Sequence, residues 1–196
     1  MRALRNTSKA RTVKLKRFLR KKWGKDAVDQ ALARKRADPK LDALLTDDEY
    51  ISLQAYTSAL YREINPALRT GSAAEWTLAV NAAVQGLAKM RANGYLITGQ
   101  LRRDASFDPK QIDDLFPESG VFQDKAFVSS SKKMDGIFPG NTEIRIFSKT
   151  GVDVRSISEY EQEEEVIFPP DTRFKVVSRT IDPTNKQHLI VLEEIK

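Results

Sequence analysis

The 196-residue sequence predicts an α+β fold, with helices in its first half and short strands in its second. Up to roughly residue 90, apolar residues recur every three or four positions, which is the spacing of a helix face. From Gly94 onward, short apolar or alternating runs are separated by turn residues, a pattern typical of strands. Helices that precede the strands, rather than alternating with them, are typical of the α+β class.

Composition excludes several kinds of protein. With no cysteine, the chain has no disulfide scaffold and no thiolate metal site. Its single histidine, His188, argues against a Ser-His-Asp hydrolase and against a metal site built from several histidines. No run of 18 apolar residues is present, and the basic N-terminus lacks the apolar core of a secretory signal. The sequence therefore predicts a globular protein without a metal, a membrane span or a signal peptide.

The first 40 residues form a basic arm that precedes an acidic domain. They hold 15 Lys and Arg against 3 Asp, a net charge of +12, whereas residues 41–196 carry a net charge of −6. The arm is expected to be mostly helical, to end at Pro39 and to have an acidic partner. Two alternatives remain open for it. It packs on, or trails from, its own domain, or it binds nucleic acid through its cations together with Phe18 and Trp23.

Two helices are expected at the start of the 41–196 domain. Thr46 with Glu49 three residues later forms a capping box, which predicts a helix start. Pro66 is expected to end that helix. Ser72 with Glu75 predicts a second capping box and a second helix.

The strands are predicted from their composition and from the turn residues between them. In order, the predicted strands are "YLITGQLRR", "KAFVSSS", "TEIRIFSK", "EEEVIFPP", "RFKVVSRTI" and "HLIVLEEI".

Four stretches of the second half occur in a characteristic order. "GQLRRDASF" is a strand ending in two arginines, and "KAFVSSSKK" is a strand ending in three serines. "GVDVRSISEY" is a turn with a short strand, and "EQEEEVIFPPDTRFKV" crowds four glutamates before a strand. This order resembles the arginine, Ser-Thr-Ser and Glu-x-Glu motifs of the mono-ADP-ribosyltransferase family. "LTDDEYISLQAYTSALYREINPALR" also looks like the first helix of bacterial toxins in that family, so the likeness covers about residues 45–196.

The resemblance implies both a fold and a substrate. The fold is ADP-ribosyltransferase-like, with N-terminal helices followed by a two-sheet β core around an NAD cleft. NAD is then the substrate that supplies ADP-ribose, and no metal is needed. Residues 41–196 would be the catalytic domain, and the basic arm lies outside the family's pattern.

The crowded glutamates suit this chemistry. Breaking the nicotinamide–ribose bond passes through an oxocarbenium-like ribose, which a nearby carboxylate stabilises. Glu163 and Glu165 lie two residues apart, so on a strand they would face one side while Glu164 faces the other. The resemblance implies that Glu165 is the catalytic glutamate at the ribose, and that Glu163 orients and activates an acceptor arginine. The alternative for this stretch is a solvated acidic turn that caps a strand.

An arginine is expected to hold the diphosphate or ribose of NAD, because its planar fork makes paired hydrogen bonds with such groups. Arg102 fits an Arg-x-Asp pattern with Asp104 and also an Arg-Arg pattern, whereas Arg103 fits when the strand is spaced from Gly99. The family's usual aromatic-Arg-Gly motif is changed here, since Leu101 takes the aromatic position and no glycine follows. Arg102 is preferred and Arg103 stays open. Because adjacent strand residues face opposite sides, one of the two is expected to enter the cleft.

The serine strand and the loop after it complete the predicted site. By resemblance, Ser129 braces the catalytic glutamate and the NAD-binding strands, Ser130 replaces the family's usual threonine, and Ser131 completes the triplet. Phe138 is expected in a loop whose aromatic residue covers the nicotinamide in the family; the alternative is a loop hydrophobe packed on the core.

The implied function is transfer of ADP-ribose from NAD to a protein arginine by a bacterial or phage toxin or effector. Such a protein would act in the cytoplasm of a producing or target cell, after delivery by a secretion system or phage, and the resemblance implies an immunity protein as its inhibitor. Two alternatives with the same chemistry are ADP-ribosylation of RNA, which the basic arm favours, and NAD glycohydrolase activity. An alternative of another class is a non-catalytic nucleic-acid-binding protein with an incidental acidic loop.

Overall fold

A computed structural model describes residues 2–135 and 139–195, with side chains described from residue 11 onward. Its α-helices are α1 (Arg2–Lys22), α2 (Lys25–Ala37), α3 (Pro39–Leu44), α4 (Asp47–Ala55), α5 (Tyr61–Thr70), α6 (Thr77–Met90) and α7 (Pro109–Leu115). Its strands are β1 (Leu96–Ala105), β2 (Val121–Gln123), β3 (Val128–Ser131), β4 (Thr142–Asp153), β5 (Glu165–Phe168), β6 (Arg173–Ile181) and β7 (His188–Ile195). The predicted α+β fold is confirmed.

The chain divides into two compact units. The helical unit comprises residues 1–92 together with 157–159, and the strand unit comprises residues 93–156 and 160–196. The boundary predicted at residues 40 and 41 stays a prediction. The structure places both the basic helices and the following helices in one unit.

Buried apolar residues hold the basic helices α1 and α2 within the helical unit. Leu15 and Leu19 of α1, and Val28 and Leu32 of α2, are each no more than 6% exposed. Their spacing of four residues places each pair on one helix face, which is the face turned away from water. Burial of these side chains therefore orders most of the arm as part of a packed helical unit.

Ion pairs join the basic helices to carboxylates that follow them in the chain. Lys35 is 4% exposed, and its Nζ lies 2.5 Å from Asp42 Oδ1 and 3.5 Å from Asp47 Oδ1. Lys16 Nζ lies 2.7 Å from Asp47 Oδ2, and Lys22 Nζ lies 3.1 Å from Glu75 Oε1. The described side chains of the arm therefore pack within the helical unit, as the first of the two alternatives predicted. Binding of nucleic acid by the arm stays a prediction.

The helix starts and ends agree only partly with the sequence prediction. Thr46 and Glu49 form the predicted capping box, because each side chain accepts a hydrogen bond from the other's backbone N–H. Ser72 makes no cap, since its hydroxyl is hydrogen-bonded to that of Thr70. Pro66 does not end the helix either. It keeps a helical φ, so α5 continues to its C-cap Gly71, where a left-handed φ of 75° ends it.

The strands form one hydrogen-bonded sheet in the order β1-β3-β5-β4-β7-β6-β2. Strand β1 pairs with both β3 and β4, and β5 also pairs with both, so these four strands close a ring. The two predicted sheets are therefore joined into one. Strand β4 joins them, because its 12 residues are enough to pair with β1, β5 and β7.

Two elements of the strand unit have no counterpart in the sequence prediction. The strand β2 has only 3 residues, and the helix α7 has 7, which are too few for a periodic pattern to stand out. The helix α7 contributes Ile112 to the buried apolar core, and Phe122 of β2, which is partly buried, packs against that core. The members of the core are Leu101, Ile112, Phe116, Val128, Ile144, Ile146, Val166, Phe168, Phe174, Val176, Ile190 and Leu192.

Three neighbouring strands carry the predicted motifs to one place. In the sheet register Arg102 of β1 lies opposite Ser131 of β3, and Ser131 lies opposite Glu165 of β5. The strand order, rather than nearness in the chain, therefore brings the three motifs together.

We predict that the Leu19→Ala variant is less stable than the parent by about 2–5 kcal/mol, the usual cost of deleting a fully buried leucine side chain. Leu19 is 0% exposed, whereas Val13 on the same helix is 66% exposed. The matched control Val13→Ala should therefore change stability by less than about 0.5 kcal/mol. Chemical denaturation of the two variants measures the difference. Equal stability of the two would contradict a packed α1.

Candidate active site

One pocket of the strand unit gathers the predicted catalytic and binding residues. It encloses about 430 Å³ of space free of atoms, part of which is open to solvent. Its lining residues are Arg102, Arg103, Asp104, Ser129, Ser130, Ser131, Lys133, Glu163 and Glu165. Convergent polar side chains of this kind fix the orientation of a ligand in binding sites for small molecules.

Glu165 is the buried carboxylate of the pocket. It is 8% exposed and opens β5. The Ser129 hydroxyl donates a hydrogen bond to Oε1, whereas Oε2 is buried and accepts none within the described part of the chain. Burial raises the pKa of Glu165 from its ordinary value of 4.5 to about 7. The hydrogen bond from Ser129 and the nearby charge of Arg103 lower that pKa, and the charge of Glu163 raises it.

Each of the three serines of β3 fastens a different part of the chain around Glu165. Ser129 holds the carboxylate of Glu165, as predicted from the resemblance. The Ser130 hydroxyl donates to the backbone carbonyl of Val166 at 3.1 Å. The Ser131 hydroxyl donates to the backbone carbonyl of Glu163 at 2.7 Å. The serine strand thus positions both glutamates, one through its side chain and one through its backbone.

Glu163 lines the same pocket as Glu165, but not for the predicted reason. Residues 161–163 form a 3-10 turn, and Glu164 adopts a left-handed backbone with φ 47° before the strand begins at Glu165. The expectation that Glu163 and Glu165 share one face of a strand is therefore wrong. A turn, not strand alternation, brings both side chains to the pocket. Partial burial raises the pKa of Glu163.

Arg102 is held by carboxylates on two strands. Its Nη2 lies 2.9 Å from Oδ1 of Asp104 and 3.1 Å from Oε2 of Glu143. Its Nη1 donates to the backbone carbonyl of Met134 at 2.7 Å. The hydrogen bond to Asp104 raises the pKa of Arg102 above its ordinary value. These contacts fix the orientation of the guanidinium. The Arg102–Asp104 pair matches the predicted Arg-x-Asp pattern.

Arg103 approaches the serine strand. Its Nη1 donates to the backbone carbonyl of Ser129 at 2.6 Å, and its charge lowers the pKa of Glu165. Both Arg102 and Arg103 line the pocket, so the expectation that only one of them would reach it is wrong. Neighbouring strand residues leave the backbone on opposite sides, but an arginine side chain is long enough to bring its guanidinium back to the same pocket.

Two further residues were not singled out by sequence reasoning. Lys133 lines the pocket, and Glu143 binds Arg102. Glu143 lies opposite Asp104 in the pairing of β1 with β4, a relation that appears only when the strand register is known. Phe138, the predicted nicotinamide cover, lies outside the described residues.

Neither a metal site nor a membrane span is found in the part of the chain that the structure describes. No group of three or more His, Cys, Asp or Glu residues there is placed to hold a metal ion. None of the described helices is both long and apolar enough to cross a membrane. The polar groups of the pocket are instead three carboxylates, two guanidiniums, a lysine and three serine hydroxyls.

Comparison with known proteins identifies the family. The family described as ADP-ribosyltransferase exoenzyme matches residues 20–196. The chain belongs to the ADP-ribosyltransferase exoenzyme family. The mono-ADP-ribosyltransferase resemblance of its motifs is therefore confirmed.

Two curated proteins are similar to this chain in sequence. The protein Mav of Mycobacterium avium (strain 104) is 34% identical over 154 residues, which are 76% of this chain and 18% of Mav. A protein of Serratia proteamaculans (strain 568), named NAD(+)–protein-arginine ADP-ribosyltransferase Tre1, is 32% identical over 158 residues, 79% of this chain and 34% of Tre1. The chain thus spans between about a fifth and a third of the length of these relatives.

A solved structure of similar fold is that of a bacterial exoenzyme. Exoenzyme S from Pseudomonas aeruginosa, determined with human 14-3-3 protein beta and bound to carba-NAD, superposes with a TM-score of 0.75. The match covers 94% of this chain and 88% of the exoenzyme S chain at 23% sequence identity. At this identity the likeness establishes the fold.

We predict that replacing Glu165 by glutamine stabilises this exoenzyme domain increasingly as pH rises. The pKa of Glu165 is raised on folding, so the folded state binds a proton more tightly than the unfolded chain does. The stabilisation that the parent gains from this tighter proton binding is fully present below the ordinary pKa of 4.5, and it is lost as pH rises through about 7. The unfolding free energy of Glu165→Gln minus that of the parent should therefore be about 2–3 kcal/mol larger at pH 8 than at pH 5.

Chemical denaturation of both proteins at the two pH values measures this gain. Glu161→Gln, at an exposed position of the neighbouring turn, controls for the loss of one glutamate. A constant difference between Glu165→Gln and the parent at both pH values would contradict the buried, proton-binding carboxylate.

Proposed function

We propose that this chain transfers ADP-ribose from NAD to an arginine side chain of a protein. The observation that carries the proposal is the buried carboxylate of Glu165, which shares its pocket with Glu163, Arg102 and Arg103. One oxygen of Glu165 is fixed by Ser129, and the other is buried and accepts no hydrogen bond within the described part of the chain. A buried acceptor of this kind is matched by a ligand hydroxyl, such as one of the ribose.

The comparisons support this substrate and this acceptor. The Serratia proteamaculans relative is named for transfer from NAD(+) to protein arginine, and exoenzyme S was determined with carba-NAD. This chain shares the motif order and the fold of the family. Since the comparison covers only part of the named relatives, the proposal concerns the activity of the matched domain.

The two arginines of the pocket would have different roles toward NAD. Arg102, anchored by Asp104 and Glu143, presents a guanidinium with a fixed orientation, which suits the diphosphate. Arg103, bound to the Ser129 carbonyl, supports the serine strand beside Glu165. Lys133 adds a further positive charge to the pocket lining.

In the first step the bond between nicotinamide nitrogen and ribose C1′ breaks, and its electron pair leaves with neutral nicotinamide. The positive charge then develops on the ribose, where the Glu165 carboxylate stabilises it. In the second step an arginine nitrogen of the acceptor attacks C1′, and its proton passes to the Glu163 carboxylate. The negative charges of both glutamates lie where the reaction places positive charge.

Water can replace the acceptor in the second step, which would give NAD hydrolysis from the same site. The presence of Glu163 beside Glu165 favours an acceptor that is itself cationic, because a carboxylate binds guanidinium through paired charge-assisted hydrogen bonds. A toxin or effector role, with delivery into a target cell and a cognate inhibitor, is the biological setting that the family resemblance supports.

We predict that Glu163→Gln removes most transfer to arginine but retains a large part of the NAD hydrolysis. Glutamine keeps the shape and the Ser131 contact, which is made to the Glu163 backbone, but it removes the charge that pairs with guanidinium. General-base groups of this kind contribute about 10²–10⁴-fold to a rate. Labelled NAD with a small arginine analogue or a protein acceptor measures transfer and hydrolysis in the same reaction.

The matched control is Glu165→Gln, which makes the same replacement of a carboxylate by an amide two residues further along the chain. It should reduce both reactions by a similar factor, because both pass through the charged ribose. Equal losses of transfer and hydrolysis in Glu163→Gln would remove the acceptor role of Glu163. Near-normal NAD consumption by Glu165→Gln would refute the proposed function.

We predict that Arg102→Ala raises the KM for NAD far more than Arg103→Ala does. Arg102 is the better placed of the two for the diphosphate, since it lines the pocket and its carboxylate partners fix its orientation. Loss of a paired charged contact with a ligand weakens binding by roughly tenfold to a few hundredfold. Arg103→Ala should mainly lower kcat, through the serine strand beside Glu165. Initial-rate kinetics separate the two effects, and the reverse pattern would assign the diphosphate to Arg103.

A further inference from the structure

The residue between the two glutamates of the pocket has an unusual backbone. Glu164 has φ 47° and ψ 47°, a left-handed conformation that glycine adopts freely and asparagine and aspartate adopt more readily than other residues. Ser119, Asp171 and Lys186 are the other described non-glycine residues at positive φ. None of these three lines the pocket.

Backbone hydrogen bonds hold this conformation on both sides. Upstream, the Glu164 N–H donates to the carbonyl of Glu161 at 3.2 Å, which closes the 3-10 turn. The serine strand then binds the two carbonyls that flank the Glu164 Cα. The Ser131 hydroxyl donates to the Glu163 carbonyl at 2.7 Å, and the Lys132 N–H donates to the Glu164 carbonyl at 3.3 Å.

The left-handed residue lies where the chain changes from a turn to a strand. Residues 161–163 are the 3-10 turn, and Glu165 opens β5. Had the chain continued as a helix, side chains two positions apart would point about 200° apart around its axis. With one left-handed residue between them, Glu163 and Glu165 instead line one pocket.

We propose that Glu164 is a positioning residue whose left-handed backbone sets the placement of the Glu163 carboxylate relative to that of Glu165. Its side chain does not line the pocket, unlike those of its two neighbours, so its contribution comes from the backbone. The charge of Glu163 raises the pKa of Glu165, which places the two carboxylates within electrostatic reach of each other. The consequence for acceptor transfer rests on the proposed function.

Substitutions that separate backbone conformation from side-chain charge test this proposal. Glu164→Gly and Glu164→Asn remove the charge but favour the left-handed conformation. Glu164→Val also removes the charge, and its β-branched side chain strongly disfavours the conformation. Glu164→Gln removes the charge and keeps the unbranched shape. The matched control is Glu161→Val, an exposed position of the same turn outside the left-handed region.

The readouts are the ratio of arginine transfer to NAD hydrolysis and the melting temperature of each variant. In Glu164→Val, displacement of Glu163 should lower transfer roughly tenfold to 100-fold more than hydrolysis, the usual cost of misplacing a reacting group by an ångström or less. The Gly, Asn and Gln variants and Glu161→Val should keep the parental ratio within about threefold. Should Glu164→Val fail to fold, Glu164→Thr, whose side chain is also β-branched, takes its place, with a shift in the same direction.

Two results would overturn the proposal. A parental transfer ratio in the folded Val or Thr variant would show that the conformation does not position Glu163. Glycine as damaging as valine would show that the Glu164 side chain, not its backbone, is needed. The melting temperatures should fall in the order Gly and Asn, then Gln, then Val, whether or not the protein transfers ADP-ribose. Absence of NAD cleavage by the parent protein would refute the proposed function. The order of melting temperatures would still test the constraint on the Glu164 backbone.

Discussion

Placing a carboxylate at the buried start of a strand removes most of its water, and at Glu165 the protein replaces that water only in part. Ser129 binds one oxygen from the neighbouring strand, whereas burial leaves the other without a hydrogen bond among the described residues. The raised pKa expresses the resulting cost of ionising this group. A positively charged ribose beside Glu165 would offset this cost, because it would attract the poorly solvated carboxylate. The rest of the pocket is arranged around this constraint.

The serine strand satisfies the constraint from three directions. Three consecutive hydroxyl groups bind one side chain and two backbone carbonyls of the opposing segment, so the position of Glu165 and the path of the chain before it are set together. The arginines of β1 complete the pocket with charge of the opposite sign. Arg102 is oriented by Asp104 and Glu143, so its long side chain is ordered before any ligand arrives. Preorganisation of this kind lowers the conformational entropy lost when a ligand binds.

The basic helices illustrate how uneven charge can be used within a fold. From the sequence alone, the net charge of +12 on residues 1–40 indicates an acidic partner, either another molecule or the chain's own domain. In the structure, several of these cations contact carboxylates on the helices that follow, and Lys35 is almost fully buried between Asp42 and Asp47. A buried lysine needs such partners, since an unpaired ammonium would lose its hydration without compensation. Part of the arm's charge therefore has its partner within the same helical unit.

What the sequence determined by itself is mainly local. Helical spacing of apolar residues, the Thr46–Glu49 capping box and the alternating runs depend on neighbours a few positions away, so the α+β class and most of the strands could be predicted. The order of the arginine, serine and glutamate motifs, taken with the family resemblance, also predicted which side chains would meet. Prediction failed where the outcome depended on distant partners. Only the tertiary structure decided that both arginines reach the pocket, that Glu143 orients Arg102, and that a left-handed residue rather than a strand presents Glu163 beside Glu165. Strand order and register determine these contacts, and they result from pairings between segments tens of residues apart, which no local pattern encodes.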